Sequence, residues 1–431
     1  MARRAFRIRQ SFMPDQTMQS GALIARHAEP QVRAALADTR IVAIVGPRQS
    51  GKTTLARRIA GGDGRQFVTL DDEQSRQFAQ EDPRGFTSGL QRAVIDEIQR
   101  APSLILELKR IVDENPRPGQ LLITGSVDLF AGSMSPDSLA GRVETVELLP
   151  FSQAEIAGTQ PSSFIDRAFA SDFAGLPAAG PTDDLVERVE RGGFPEALTR
   201  AAPARRRSWL RNYARVVAEH DVRDIAQVAK RDELPRLIAH AAVAAGGLLN
   251  MSALGTRLGV DGKTVDRWLV LLEHMFLIRR VRAWHRSDLK RLVKAPKLQF
   301  LDSGLLAALQ GVDAASIASD RQRLGPLLES FVYGELAKAV ALSSDLTTVS
   351  HYRDKSGAEV DFVLDRSPGA VVGIEVKSRA TAHPRDFTGL RRLKDAAGDS
   401  FACGVLLHNG DRVQQAAPGL YAMPVKMLWE A

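Results

Sequence analysis

The sequence is poor in cysteine and lacks long apolar runs. Cys403 is the single cysteine of 431 residues, so an internal disulfide is excluded and a reducing, cytoplasmic location is expected. No stretch approaches the roughly 18 uninterrupted apolar residues of a spanning helix, so no membrane partner is expected. The eight histidines are scattered without a Cys/His ligand spacing, which argues against a structural zinc site. The basic N-terminus is followed by no apolar block and lacks the pattern of a signal peptide.

The composition is that of a soluble globular protein with several domains. Hydrophobic residues make up 44% and charged residues 25% of the chain, and its length predicts two to four domains. The formal net charge of +7 favours an anionic partner, for which DNA is the expectation.

A phosphate-binding motif lies near the N-terminus. The apolar run "IVAIV" (Ile41 to Val45) predicts a buried parallel strand, and a Gly-rich loop then opens a helix. This loop matches G-x-x-x-x-G-K-[ST], in which backbone N–H groups wrap the phosphates of ATP, lysine reaches the outer phosphates and threonine binds Mg²⁺. The predicted nucleotide-binding residues here are Gly46, Pro47, Arg48, Gln49, Ser50, Gly51, Lys52, Thr53 and Thr54.

Two further apolar runs end in polar residues. "AVIDEI" carries Asp96 and Glu97, which predicts that Asp96 holds the metal through water while Glu97 polarises the attacking water. "QLLITGS" ends at Thr124 to Ser126, where a hydroxyl could sense the γ-phosphate; the sequence leaves open which one.

This order of motifs, followed by Arg142 in "SLAGRVETVEL", resembles the AAA+ ATPase superfamily. The resemblance implies a catalytic arginine that completes a neighbouring subunit's site, and hence a homo-oligomer, either a ring or a dimer. Arg142 is the candidate, with Arg48, Arg100 and Arg110 as alternatives.

The middle of the chain predicts helices. A basic stretch from 205 to 231 suggests a helical lid, in which Arg223 either approaches the nucleotide or forms a local salt bridge. From Leu248 the pattern predicts a helix-turn-helix, with Asp261 as N-cap of the second helix and apolar Val265, Leu269 and Leu272 on one face. Eight Lys/Arg residues then predict a winged helix with a basic wing, suited either to DNA phosphates or to a protein partner: 279, 280, 282, 286, 290, 291, 294 and 297.

Two alternating runs near the C-terminus predict a β-hairpin that gathers acids and a lysine. In "AEVDFVL", strict alternation places Glu359 and Asp361 on one face and Val360, Phe362 and Leu364 on the other. In "AVVGIEVKS", Glu375 and Lys377 share a face. Carboxylates at that density suit Mg²⁺ or Mn²⁺, and lysine beside a metal can activate water; the alternative is a structural hairpin with a charged outer face.

Just upstream, "GPLLESFVYGELAKAV" predicts an amphipathic helix that carries Glu329, a candidate for a further metal ligand. Asp361 followed by Glu375-x-Lys377 resembles the PD-(D/E)xK nuclease core. Together with "GGFPEAL" and "LLES", the motifs resemble prokaryotic AAA-type ATPases with a C-terminal domain of unknown function 4143. That resemblance implies ATP binding at residues 46–53, metal and water roles for Asp96 and Glu97, and nuclease-like carboxylates, but no substrate.

The expected fold class is α/β, with a P-loop AAA+ core on a parallel sheet, a helical lid, a winged helix and a restriction-endonuclease-like C-terminal domain. The predicted boundaries are 1–150 for the ATPase, 151–245 for the lid, 246–305 for the winged helix and 306–431 for the nuclease-like domain. The expected function is Mg²⁺-dependent ATP hydrolysis coupled to DNA processing. The alternatives are a non-nucleolytic DNA clamp or motor, and a nucleotide-switched scaffold for protein partners.

Overall fold

The chain forms a parallel sheet, a helical middle section and a second, mixed sheet. The computed structural model describes residues 23–126, 139–173, 182–221, 233–286 and 294–431. In these ranges no helix combines the length and apolarity needed to cross a membrane. The predicted α/β class is confirmed.

The N-terminal sheet has five parallel strands in the order β2-β3-β4-β1-β5. Its strands are β1 (Ile41–Val45), β2 (Gln66–Thr69), β3 (Ala93–Asp96), β4 (Leu121–Gly125) and β5 (Val143–Glu147). Its helices are α1 (Glu29–Asp38), α2 (Lys52–Asp63), α3 (Glu73–Glu81), α4 (Pro83–Thr87) and α5 (Leu104–Glu114). Because β4 lies between β1 and β3, the carboxyl ends of these three strands meet at one edge, where ligands of open α/β sheets bind.

Strand β1 is buried on both faces, as its all-apolar sequence predicts. Ile41, Ala43 and Val45 belong to the main core, whereas Val42 and Ile44 pack in a second core with α1 and α2. Such burial requires a sheet covered on both sides, and it fixes the position from which the phosphate loop leaves the sheet.

The middle section is helical, as predicted. It contains α6 (Gln153–Ala157), α7 (Phe164–Ala170), α8 (Leu185–Arg191), α9 (Pro195–Leu198) and α10 (Pro203–Val216), and a π-helical turn (Val217–Asp221) follows. Arg223 lies outside the described residues.

The predicted helix-turn-helix is present and is followed by a two-stranded antiparallel hairpin. Asp261 caps the second helix by accepting from the Thr264 N–H at 2.9 Å, and Val265, Leu269 and Leu272 are buried. The elements are α11 (Leu234–Ala244), α12 (Met251–Leu258), α13 (Gly262–His274), β6 (Ile278–Val281) and β7 (Lys297–Phe300).

The C-terminal sheet has six strands in the order β12-β13-β11-β10-β9-β8. Its strands are β8 (Thr347–Arg353), β9 (Glu359–Arg366), β10 (Ala370–Lys377), β11 (Phe401–His408), β12 (Gln414–Ala417) and β13 (Leu420–Pro424). The accompanying helices are α14 (Ser303–Gln310), α15 (Ala314–Ser319), α16 (Leu324–Leu342), α17 (Thr388–Ala397) and α18 (Met427–Glu430). The predicted boundary at 305/306 falls inside α14, which packs on α8 and α10.

The long helix α16 also contacts the segment that follows β5. Lys338 Nζ donates to the Phe151 carbonyl at 3.0 Å, and the Gln153 N–H donates to Glu335 Oε2 at 3.0 Å. The C-terminal sheet domain is therefore tied directly to the chain that leaves the parallel sheet.

Candidate functional site

The phosphate loop lies between β1 and α2, as the motif predicts. Gly46 has φ 155°, and a Cβ there would lie 2.2 Å from the Leu148 carbonyl oxygen, so only glycine fits. Gly51 has φ 96° and caps α2 in the left-handed region. Lys52 Nζ donates to the carbonyls of Gly46 (3.1 Å) and Pro47 (2.8 Å). The lysine thus holds the loop closed around the space that phosphate oxygens require.

Asp96, at the end of β3, accepts hydrogen bonds from three threonine hydroxyls. Thr53 of α2 donates at 3.0 Å, Thr124 of β4 at 2.6 Å and Thr69 of β2 at 3.2 Å. Asp96 is only 1% exposed, so these donors replace the water that a buried carboxylate loses. The sequence predicted the Thr53 and Asp96 contributions, but not that of Thr69.

Glu97 follows in the left-handed conformation, with φ 59° and ψ 48°, which is uncommon for a residue with a side chain. Its N–H donates to the Thr124 hydroxyl at 3.0 Å, and Ser126 Oγ donates to Glu97 Oε2 at 3.2 Å. Gln99 donates to both Glu97 Oε2 and Ser126 Oγ. The two hydroxyls therefore have different partners. Thr124 contacts both Asp96 and the Glu97 N–H, whereas Ser126 contacts the Glu97 carboxylate.

These side chains have the donor set for ATP with Mg²⁺. The Thr53 hydroxyl and the Asp96 carboxylate are adjacent hard oxygen groups, the kind that Mg²⁺ prefers. Glu97 lies one residue further along the same edge, and its side chain is held toward Ser126. The arrangement can bind phosphates, retain a divalent cation and orient a water molecule.

The helical section reaches the phosphate loop through Tyr213 of α10. Its hydroxyl donates to the Arg48 carbonyl at 3.1 Å, and its ring packs against Phe194 and Trp209. This contact has no signal in the sequence, because its acceptor is a backbone carbonyl.

Arg142, the first candidate arginine, lies far from the phosphate loop of its own subunit. Arg142 precedes β5, where its carbonyl accepts from the Ile41 N–H at the amino end of β1. Because β1 has five residues, this is roughly 16 Å from the phosphate loop at a strand rise of about 3.3 Å per residue. The Arg142 guanidinium pairs with Asp113 at 2.6 Å, and Asp113 raises its pKa. Arg142 therefore cannot reach its own subunit's nucleotide, and a role across an interface stays a prediction.

The alternative arginines differ in their surroundings. Arg100 pairs with Asp71 at 2.7 Å, and Arg110 pairs with Glu107 and Glu114 on the surface of α5. Arg48 lies within the phosphate loop itself, as predicted.

The C-terminal acids come together as predicted, and a second lysine joins them. Lys377 Nζ lies 2.5 Å from Glu375 Oε1. Lys297, from β7 of the β6–β7 hairpin, lies 2.5 Å from Glu359 and 3.2 Å from Asp361. It is only 3% exposed, so this residue of the predicted basic wing faces the acid cluster instead of solvent.

Burial and like charge perturb these groups. Burial, with repulsion from Asp361, raises the pKa of both Glu329 and Glu375 to about 8. Burial alone would lower the pKa of Lys297, but the carboxylates of Asp361, Glu329 and Glu359 raise it above its ordinary value. The ammonium groups of Lys297 and Lys377 therefore both compensate the negative charge of the cluster.

Whether the C-terminal acid cluster can hold a metal ion depends on the position of Lys297. Oε2 of Glu329 and Oε2 of Glu375 are buried without a hydrogen-bond partner, and such oxygens suit a hard cation. Across the described ranges, however, no group of three His, Cys, Asp or Glu side chains is placed to hold a metal ion. With Lys297 3.2 Å from Asp361, Mg²⁺ or Mn²⁺ would fit only if that ammonium moved away.

One part of the hairpin prediction is wrong. β9 and β10 pair antiparallel as predicted, but β8 residues Ser350 and Tyr352 oppose Val363 and Val360 of β9, so β9 contains an extra residue. This bulge breaks the strict alternation. Val360 packs against α17, whereas Phe362 and Leu364 join the main core on the other face of the sheet.

Much of the predicted basic wing is engaged internally. Arg279 pairs with Glu147, Arg280 with Asp266 and Glu273, and Lys294 donates to the Arg353 carbonyl at 2.9 Å. Residues 290 and 291 lie outside the described ranges. Arg282, Arg286 and Lys294 are the exposed basic residues of the described part of this predicted wing.

Three protein families match successive parts of the chain. An AAA domain matches residues 38–157, domain of unknown function 8612 matches residues 182–316, and domain of unknown function 4143 matches residues 324–428. The second match covers the elements from α8 to α14, including the β6–β7 hairpin, and the third begins at the first residue of α16.

Two mycobacterial proteins resemble the chain over most of its length. They are uncharacterized protein Mb2031c of Mycobacterium bovis and uncharacterized protein Rv2008c of Mycobacterium tuberculosis, each 29% identical over 358 residues. Each alignment covers 83% of this chain and 74% of the relative.

Among solved structures, the Walker-type ATPase PABY2304 of Pyrococcus abyssi aligns at a TM-score of 0.41 and 15% identity, covering 67% of this chain and 96% of that chain. Thermotoga maritima RuvB R170A aligns at a TM-score of 0.28 and 18% identity, covering 59% and 88% respectively.

Proposed function

We propose that this chain, in which residues 38–157 match an AAA domain and residues 324–428 match domain of unknown function 4143, hydrolyses ATP in an Mg²⁺-dependent reaction and couples this to a C-terminal part that acts on DNA. The observation that carries the ATPase proposal is the convergence of Thr53, Thr124 and Asp96 beside Glu97 at one sheet edge. Phosphoryl transfer needs little more than such positioning and charge.

Each residue has one task in this proposal. Backbone N–H groups of the loop and Lys52 bind the phosphates, while Thr53 and Asp96 retain Mg²⁺. When bound, Mg²⁺ neutralises charge on the β- and γ-phosphate oxygens. Glu97 accepts a hydrogen bond from the attacking water and orients it toward the γ-phosphate, and Ser126 keeps the Glu97 carboxylate in place.

The proposal includes self-assembly. Arg142 lies at the opposite end of β1 from the phosphate loop, so it can contribute only to the site of a neighbouring subunit. An arginine supplied in this way stabilises charge on the transferring phosphoryl group.

Phosphate release from ATP by the full-length chain tests both the ATPase proposal and the role of Arg142 across an interface. We expect Mg²⁺-dependent release by the wild type and loss of about 1000-fold in Arg142→Ala, the scale of other arginine fingers. Mixing Arg142→Ala with Lys52→Ala should restore part of the activity, because an intact loop can then meet an intact arginine. Absence of release by the wild type contradicts the ATPase proposal. Absence of recovery in mixtures shown to co-assemble contradicts the role across an interface.

DNA is the proposed target of the C-terminal part. Support comes from the net charge of +7, the exposed Arg282 and Arg286 beside a helix-turn-helix, and the grouping of Asp361 with Glu375 and Lys377. This grouping favours a phosphodiester-directed nuclease site with Mg²⁺ or Mn²⁺, whereas the position of Lys297 favours a clamp or motor that does not cleave.

Binding and cleavage assays on linear, single-stranded and branched DNA separate these possibilities. For the nuclease we expect metal-dependent scission. Asp361→Asn should abolish the scission and leave ATP hydrolysis unchanged, whereas the exposed control Asp399→Asn should retain the scission. Salt-sensitive binding without scission, with or without Mn²⁺, would identify the clamp. Absence of salt-sensitive binding to any DNA would overturn the DNA proposal and favour the protein scaffold.

A further inference from the structure

Arg26 lies before α1, outside the part of the chain that matches the AAA domain, and contacts the phosphate loop. Its Nη1 donates to the Ser50 carbonyl at 2.6 Å, and its Nη2 donates to the Leu149 carbonyl after β5 at 2.6 Å. Its Nε donates to Glu155 Oε1 of α6 at 3.0 Å. The guanidinium also stacks on the Phe151 ring, 4.7 Å from its centroid. One side chain therefore joins the loop to the segment that follows β5.

The charge of Arg26 is buried, and its partner Glu155 is held in place. The side chains of Arg26 and Glu155 are 9% and 6% exposed. Burial lowers the pKa of Arg26, while the Glu155 carboxylate opposes that change. Glu155 also accepts from the N–H groups of His27 (2.8 Å) and Ser152 (2.8 Å), which hold it in a capping box. A buried pair with satisfied hydrogen bonds has one geometry, so Arg26 has little freedom to move.

The bond to Ser50 determines how the loop presents its backbone. In a trans peptide the C=O and the following N–H point in opposite directions within one plane. By holding the Ser50 carbonyl, Arg26 directs the Gly51 N–H to the opposite side, into the loop that precedes α2. That N–H and the N-terminus of α2 are the groups that bind phosphate in such loops. Gly51 has no side chain that could restrain this peptide, and it adopts the left-handed conformation that favours glycine.

We propose that Arg26 is a positioning residue for the phosphate loop, holding the Ser50–Gly51 peptide in the orientation that receives ATP. This inference rests on the proposed ATPase function, since it concerns the same site. In this proposal Arg26 acts through the loop backbone, by its bond to the Ser50 carbonyl.

The test compares Arg26→Gln and Arg26→Lys with a control, Arg33→Gln. Arg33 lies on α1 and pairs with Glu29 and Asp63, away from the loop. For Arg26→Gln we expect KM for ATP to rise by about 10-fold or more while kcat changes little, because a displaced loop costs binding. Amide hydrogen exchange of Gly51 to Thr53 without nucleotide should accelerate while the β1 amides stay protected. Arg26→Lys, which retains a donor, should restore part of both properties, and Arg33→Gln should match the wild type.

The outcomes distinguish this proposal from the ATPase proposal. A lower Tm in Arg26→Gln with unchanged KM and unchanged loop exchange would overturn the positioning role. If the wild type fails to bind ATP, the ATPase proposal fails, yet faster loop exchange in Arg26→Gln would still support the role of Arg26. If Arg26→Gln does not fold, Glu155→Gln and Arg26→Lys supply the same comparison: normal KM and exchange in both would overturn the proposal.

Discussion

Glu97→Gln is expected to bind ATP as tightly as the wild type and to hydrolyse it about 100-fold or more slowly, the usual contribution of a positioned general base. The substitution keeps the size of the side chain and a hydrogen-bonding oxygen beside Ser126, but removes the charge that polarises water. Thr53 and Asp96 are untouched, so Mg²⁺ and nucleotide should remain bound. Single-turnover kinetics with equilibrium ATP binding measures the two effects separately.

The matched control is Glu114→Gln, an exposed acid at the end of α5, which should behave as the wild type. Equal loss of binding and turnover in Glu97→Gln would indicate a collapsed site. Normal turnover would remove Glu97 from the reaction.

Lys52→Ala is expected to reduce the rate of ATP turnover by about 100-fold or more, as the loss of a preorganised donor does in other enzymes. It should also weaken ATP binding. Lys52 Nζ contacts the carbonyls of Gly46 and Pro47, so the substitution removes both the charge on the phosphates and a restraint on the loop. ATP calorimetry and phosphate release measure the outcome, with exposed Lys355→Ala as control. Unchanged binding in Lys52→Ala would contradict the assignment of this loop as the nucleotide site.

The phosphate loop could be predicted because its chemistry is local. Gly46 to Thr53 are consecutive, and each has a role that its residue type reveals: glycine permits close backbone approach, and lysine and threonine supply charge and hydroxyl. Asp96 and Thr124 were also predictable, since strand ends meet at one edge of a parallel sheet. Thr69 ends a short strand that carries no motif, and its bond to Asp96 follows from the strand order alone.

The C-terminal cluster was predicted only in part, because its charge balance depends on distant residues. Lys297 lies in another module, and its basic neighbours suggested a DNA-facing wing, yet the fold buries its ammonium against Glu359 and Asp361. The bulge in β9 depends on pairing with β8, and alternation within one strand carries no information about its partner. The contacts of Arg26 and Tyr213 with the phosphate loop could not be predicted for a similar reason. Their acceptors are backbone carbonyls, which every residue possesses.

The contacts of α16 with the chain after β5 limit how the C-terminal domain can be exchanged between related proteins during evolution. A relative that acquired a foreign C-terminal domain through recombination would bring a different α16 to the Phe151 carbonyl and the Gln153 N–H. Unless that helix carried an ammonium and a carboxylate where Lys338 and Glu335 stand, these backbone groups would be buried without partners, at a cost of about 1–3 kcal/mol each. We therefore expect natural exchange of these domains to retain Lys338 and Glu335 in the helix, or to replace the helix and the segment after β5 together.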